Sequence, residues 1–410
     1  MPEQTCVIVG ASHAGTQLAL SLRQGGWEGR IVLAGDEPVK PYQRPPLSKD
    51  VLSGAKSMEQ ILIRPDAVLE NAGIEFMLGR RVETIDRTRK ILYLDNGETQ
   101  DYDKLALTLG AHPSTIPLTG TDKYGVHYLR KLADVEKIRP LIGEGKSAVI
   151  IGGGYIGLEA GAVLRQTGMT VTVLEALPRV LQRVTAPVVS TFYQRLHDEE
   201  GLWVVTGALV TSIEGEDQVE RVHCADGSEI DADLVIIAVG VLPNTELAAR
   251  AGLDVEDGIL VDEFARTSDP DIVAAGDCTR HFNPIYQRRV RLESIQNAMD
   301  QAKTAAETLN GDPQPYHALP WFWSEQYDVK LQIAGLSQGY DNVVLRGDPE
   351  TGRSFAVFYF EGERLLAVDA INRPGEFMLG KKLLMAGARV DKEKLADENI
   401  PVKSLYTLEP

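Results

Sequence analysis

The stretch that decides the fold is "VIIGGGYIGLEAG", Val149 to Gly161. An apolar run enters a turn carrying Gly152, Gly154 and Gly157, and Gly161 follows one helical turn later. In a strand–turn–helix dinucleotide motif the first glycine permits the tight bend and the second lets backbone approach a pyrophosphate. The third lets the helix pack close to the strand, so that its first N–H groups face the phosphates. Glu175 ends the next apolar run, close to the ~20-residue spacing at which a carboxylate meets ribose hydroxyls. A carboxylate there disfavours the extra phosphate of NADP, while Arg179 and Arg183 nearby pull the other way. Tyr155 and Ile156 lie inside the turn, and Gly240 ends the closing strand "ADLVIIAVG".

A second, similar phrase stands at the start of the chain: "VIVGASHAG", Val7 to Gly15. It supplies Gly10, Ser12 and Gly15, with His13 and Ala14 between them, a serine replacing the middle glycine. Its acid is Asp36, with Glu37 the close competitor. Gly10 and Gly152 correspond at an offset of 142 residues, and the strand-closing Gly110 and Gly240 at an offset of 130. Such long-range self-similarity indicates two related domains, not a solenoid of short repeats. For either turn alone, a strand–helix junction with no ligand remains the alternative. Two turns with matching acids point to two nucleotides, and hence to hydride passing between a nicotinamide and a flavin.

The expected fold class is α/β: two Rossmann-type dinucleotide-binding domains followed by a C-terminal α+β domain. Residues 1–113 and 243–320 would form the first domain, 114–242 the second and 321–410 the third. Short β-rich runs such as "RRVETIDRTRKILYLDNGETQDYDKL" read as small antiparallel sheets inserted in each Rossmann unit. "GDPQPYHALP", Gly311 to Pro320, reads as a linker.

Composition narrows the function. A net charge of −17 argues against nucleic acid, which needs concentrated positive charge. The acidity is uneven: from Trp321 onward 14 acidic and 11 basic residues leave only −3. No apolar run is long enough for a membrane span, and no charged leader precedes the first strand, so a cytoplasmic location is expected. Cys6, Cys224 and Cys278 stand far apart, with no CxxC pair. That spacing argues for a reducing compartment and against a structural zinc, a redox-active dithiol or an iron–sulfur cluster. No metal site is expected.

Four further phrases carry a family resemblance: "YQRPPLSKD" (Tyr42 to Asp50), "TSDPDIVAAGDC" (Thr267 to Cys278), "ESIQNA" (Glu293 to Ala298) and "WFWSEQYDVKLQIAGLS" (Trp321 to Ser337). In this order they resemble the FAD-dependent, NADH-dependent ferredoxin reductases of bacterial monooxygenase and dioxygenase systems, flavoproteins with the glutathione reductase fold. The resemblance spans essentially the whole chain. It implies that FAD lies along the first domain, with its pyrophosphate at Gly10 to Gly15 and its ribose at Asp36. Arg44, Lys49, Val82 and Arg130 would contact it, as would Gly276 and Asp277. Ile295, just before a helix beginning near Gln296, would present backbone N–H to the flavin's pyrimidine edge, where a helix N-terminus favours negative charge.

The resemblance also pairs Lys49 with Glu159 beside the flavin. A buried ammonium is costly alone, and a neighbouring carboxylate keeps it charged. From the residues alone, an exposed helix glutamate and a loop lysine that never meet is the alternative. Tyr155 would cover the flavin until nicotinamide displaces it, or serve simply in packing. Trp323 would be an aromatic at the electron exit, or core. The partner implied is an acidic 2Fe-2S ferredoxin docking on Arg64, Lys303, Lys330, Lys381 and Lys382, any of which could equally be a solvated surface charge. Two other functions remain open: an NADH oxidase or peroxidase, and an NAD-binding signalling protein resembling apoptosis-inducing factor.

Overall fold

The computed structural model describes residues 4–405. They form two compact units. Among the described residues the first comprises 4–43, 58–112 and 242–320, and the second 44–57, 113–241 and 321–405.

The first unit is built on a five-stranded parallel sheet. Its order across the sheet is Ile272–Ala274, Lys104–Leu107, Thr5–Val9, Arg30–Gly35 and Ile74–Leu78. These strands are runs of valine, isoleucine, leucine and alanine buried on both faces, as parallel strands must be. The helix His13–Gln24 crosses from the first strand to its neighbour, and the helix Ile295–Leu309 packs beside it. Alanines 298, 302, 305 and 306 line the buried side of the latter and share one core with Leu18, Ala19 and Leu22. Small side chains there let two helix backbones approach closely. Beside the sheet lies a three-stranded antiparallel sheet, Val82–Asp86, Ile91–Leu94 and Thr99–Asp101, as the alternating sequence predicts.

The second unit repeats the plan. Its parallel sheet has the order Trp203–Thr206, Thr170–Glu175, Ser147–Ile151, Leu234–Ile237 and Val126–Tyr128. The helix Tyr155–Gln166 crosses from Ser147–Ile151 to Thr170–Glu175. The same unit contains a five-stranded antiparallel sheet from the C-terminal part of the chain, ordered Trp321–Gln326, Val329–Gly335, Arg364–Ile371, Ser354–Glu361 and Asn342–Asp348.

The sequence-based boundaries differ from these units in three respects, each with a physical reason. Residues 44–57, assigned from sequence to the first domain, group with the second unit, because Ser48 and Lys49 hydrogen-bond Glu159 and Arg44 donates to the carbonyl of Arg130. The C-terminal strands, expected as a third domain, pack within the second unit. Ser324 bonds Glu159, Gln326 bonds His197, and the backbone N–H of Ala186 donates to Tyr359. Residues 311–320 are no loose linker: Tyr316 is buried, its N–H donates to Glu263 and its hydroxyl to Asn297.

The alanine seam predicts that Ala302→Leu overpacks the joint between the two helices of the first unit. The substitution should destabilise the chain by about 1–3 kcal/mol, read as a lowered midpoint in chemical unfolding followed by circular dichroism.

Candidate functional site

Each glycine turn is closed by its own carbonyl geometry. Gly10 has φ +120, and a Cβ there would lie 2.1 Å from the carbonyl oxygen of Thr108; one on Gly15 would lie 2.0 Å from that of Gly10. Thr108 fixes the turn by donating its hydroxyl to Gly10 at 2.8 Å. Ser12 sits at φ −137, ordinary extended backbone, which is why serine is tolerated where the motif has glycine. In the second turn Gly152 has φ +114, and a Cβ on Gly157 would lie 2.1 Å from the carbonyl oxygen of Gly152.

Both turns deliver a helix N-terminus built to receive an anion. Neither N-cap, Ser12 nor Gly154, makes a side-chain cap bond, and neither helix has an acid in its first turn. A Cβ on Gly154 would meet nothing within 4 Å, so open space lies before that terminus. The helix Ile295–Leu309 differs: Ser294 caps it by accepting from Asn297 N–H. Its first residue is Ile295 rather than Gln296, because the cap fixes the start one residue earlier. Orphan N–H groups with aligned peptide dipoles suit a pyrophosphate, so the residues present fit one dinucleotide at each turn.

The remaining sequence-predicted residues fall as follows. In the first unit, Asp36 is exposed just past the strand Arg30–Gly35, while its competitor Glu37 accepts from the Tyr42 hydroxyl at 2.5 Å. Val82 is buried at the start of its strand. Gly276, φ +89, brings the backbone before Asp277 to Ala14, its Cβ position 3.3 Å from that side chain. His13 begins the first helix. In the second unit, Glu175 turns its carboxylate onto backbone, accepting from Gly153 N–H at 2.7 Å and Leu177 N–H at 2.8 Å. Arg179, weighed from sequence as a cation for an extra phosphate, instead donates to the carbonyls of Gln182 and Thr185 in its own loop and to the hydroxyl of Ser190 in the helix Pro187–Glu199. Arg183 and Ile156 are exposed, and Gly240 has open space around it.

The centre of the second unit is Glu159. Its side chain is 3 % exposed, and that of Lys49 is 17 % exposed. One carboxylate oxygen accepts from Lys49 Nζ at 2.6 Å and from the Ser48 hydroxyl at 2.8 Å; the other accepts from the Ser324 hydroxyl at 2.7 Å. The exposed, unpaired alternative for these two residues does not hold. Ser48 and Ser324 went unnoticed in the sequence, where a serine in "PPLSK" or "WFWSEQ" carries no pattern of its own. Beside Glu159 the Tyr155 ring packs on Phe322 with centroids 4.8 Å apart, and Trp323 lies between Phe322 and Trp321.

A second buried acid was also missed. Asp369 interrupts the apolar strand "RLLAVDAI", is wholly buried, and accepts the Tyr359 hydroxyl on one oxygen. Its other oxygen, like the hydroxyls of Tyr155 and Tyr193, is buried without a hydrogen-bond partner. An acid set among the apolar residues of the run Leu365 to Ile371 was the available signal.

The thiols are not placed for redox chemistry. Cys6, Cys224 and Cys278 are free and buried, and burial pushes Cys6 and Cys278 up to about 12, far from a reactive thiolate. Among the described residues no cluster could hold a metal ion, and no helix is long and apolar enough to cross a membrane.

Comparison with known proteins gives this geometry a context. Residues 4–302 match the family model described as pyridine nucleotide-disulphide oxidoreductase, and residues 321–406 match that described as reductase C-terminal. Over 405 residues the chain is 42% identical to putidaredoxin reductase of Pseudomonas putida, covering 97% of this chain and 96% of that one. It is also 42% identical to a ferredoxin–NAD(P)(+) reductase of a Sphingomonas species, covering 98% of each. The crystal structure of the covalent putidaredoxin reductase–putidaredoxin complex superposes with a TM-score of 0.95, covering 98% of both chains.

Asp369 generates a pH prediction. Burial pushes its carboxyl from 3.8 up to about 7. The folded chain therefore keeps a proton that the unfolded chain releases near pH 4. Between those values the folded state binds more protons, so each rise in pH costs it stability. The unfolding free energy of Asp369→Asn minus that of the unsubstituted chain should rise from about pH 4 to about pH 7 and level off above. A difference independent of pH would contradict this.

Proposed function

The chain belongs to the pyridine nucleotide-disulphide oxidoreductase family, and on that premise we propose that it is an NADH-dependent ferredoxin reductase of a bacterial oxygenase system. It takes a hydride from NADH onto FAD and passes the electrons singly to a 2Fe-2S ferredoxin. The observation that carries this reading is the combination of two uncapped helix N-termini behind glycine turns with the burial of all three thiols. The chain has the family's two nucleotide cradles and lacks an accessible dithiol. The balanced reaction is NADH plus two oxidised ferredoxins, giving NAD⁺, a proton and two reduced ferredoxins.

FAD supplies the chemistry that no side chain here offers, accepting two electrons together and releasing them one at a time. The chain's own residues bind and orient. Gly10, Ser12, His13, Ala14 and Gly15 hold the FAD pyrophosphate, with Asp36 on the ribose and Asp277, Val82 and Ile295 along the cofactor. Gly152 to Gly157 would receive NADH, and Glu175, its carboxylate held at the turn by the N–H groups of Gly153 and Leu177, places negative charge there, favouring NADH over NADPH. Arg44, Arg130, Lys49 and Trp323 serve the flavin, with Lys49 offering positive charge where reduction adds negative charge. No general base is required.

The reading fails for an oxidase or peroxidase, which would send electrons to oxygen or peroxide. Purified holoprotein should reduce two ferredoxins per NADH with little oxygen uptake, and faster with NADH than with NADPH. Vigorous oxygen uptake without ferredoxin turnover would contradict it.

The acidic partner needs local positive charge, which sets the encounter rate more than the affinity. Lys303 is paired with Asp300 and Lys330 with Glu325, while Lys381 stands over the rings of Trp321 and Phe377. Arg64 donates to its neighbouring carbonyl, and Lys382 is exposed. We assign docking to the lysines of the C-terminal part. Lys330→Glu combined with Lys381→Glu should slow ferredoxin reduction, more so at low salt, and leave NADH-driven dye reduction unchanged. Equal loss of both activities would remove these residues from the docking surface.

A further inference from the structure

The Ser324 hydroxyl that donates to Glu159 is the last link of a longer chain. Ser324 accepts from the Gln326 side-chain amide at 3.3 Å. The Gln326 carbonyl oxygen lies 2.8 Å from His197 Nε2, and His197 Nδ1 lies 3.3 Å from the Tyr327 hydroxyl. Because the Gln326 amide nitrogen is committed to Ser324, its oxygen faces His197, so Nε2 must carry the imidazole proton. Nδ1 is then the acceptor for Tyr327. Every donor in the series points the same way, from Tyr327 through His197, Gln326 and Ser324 to the carboxylate. Ser324 and His197 are fully buried and Gln326 nearly so.

Three observations set this chain apart from ordinary core satisfaction. It draws on two separate parts of the sequence, the helix Pro187–Glu199 and the strand Trp321–Gln326 with its turn. Its outer end, Tyr327, occupies a left-handed position, φ +55, in a two-residue hairpin turn where glycine would be less strained. Its inner end is the carboxylate that already holds Lys49. Aligned hydrogen bonds polarise one another in a low-dielectric interior, so such a series is stronger than its members taken singly. Burial lowers His197 to about 4, which leaves the imidazole neutral in a single tautomer across the working range.

We infer that Tyr327, His197, Gln326 and Ser324 form a one-way donor chain that disperses the negative charge of Glu159, and through it sets how much of the Lys49 charge is left to act on the flavin. They are positioning residues; none is assigned contact with a coenzyme. The inference rests on the proposed function, in which Lys49 serves FAD. With the chain intact, part of the Glu159 charge is taken up by Ser324. Without it that charge falls wholly on Lys49 and Ser48, and the ammonium is more completely neutralised.

Ser324→Ala should therefore shift the midpoint potential of bound FAD to more negative values, measured by anaerobic spectroelectrochemistry on flavin-replete protein. Gln326→Leu should shift it in the same direction by less. The double variant should match Ser324→Ala alone, because the link is already cut. An unchanged or raised potential in Ser324→Ala, or additive shifts in the double variant, would overturn the inference. Nitrogen NMR of unsubstituted holoprotein tests it without mutation: His197 should carry its proton on Nε2, and a proton on Nδ1 would overturn the chain's direction. A protein that binds no flavin would instead sink the proposed function, with the tautomer still deciding the chain.

Discussion

A carboxylate cannot be taken out of water without partners, and this fold places one, Glu159, almost completely inside its second unit. The penalty for burying such an ion is several kcal/mol, recovered only when good hydrogen bonds and a counter-charge meet it. Here those come from Ser48, Lys49 and Ser324. The requirement ties together segments about 110 and 165 residues away in sequence. It accounts for residues 44–57 and the C-terminal strands joining the second unit. It also explains why the Lys49 side chain can be largely buried.

Each unit also carries its own glycine turn. Two glycine turns press backbone against backbone so closely that a single methyl group would collide with a carbonyl, and each leaves an uncapped helix terminus in front. The three thiols present are unpaired and buried. What remains is binding, orientation and electrostatics, the contributions a protein makes when a cofactor carries the reaction.

The turns were readable because they are local: glycine spacing, the flanking apolar runs and the acids at the next strand ends all lie within one strand–helix–strand stretch. The α/β class followed from the same periodicities. What could not be read was set by distance in sequence. Ser48, Ser324, Gln326 and His197 converge on one carboxylate, yet none carries a pattern that announces its partner. The lysine–glutamate pair itself was visible only through family resemblance. Arg179 misled for the converse reason, since its position beside Glu175 was clear while the loop carbonyls that occupy it were not. The stretch 311–320 has a linker's composition but is pinned by Tyr316, whose burial no local rule foretells.

The most direct test of the central constraint is a double-mutant cycle on unfolding free energy with Lys49→Met, Glu159→Gln and the combination. A buried, mutually dependent pair predicts a coupling of about 1 kcal/mol or more, the double variant being more stable than the sum of the single effects implies. Additive effects would mean that the two charges do not hold one another, and the account built on them would be contradicted.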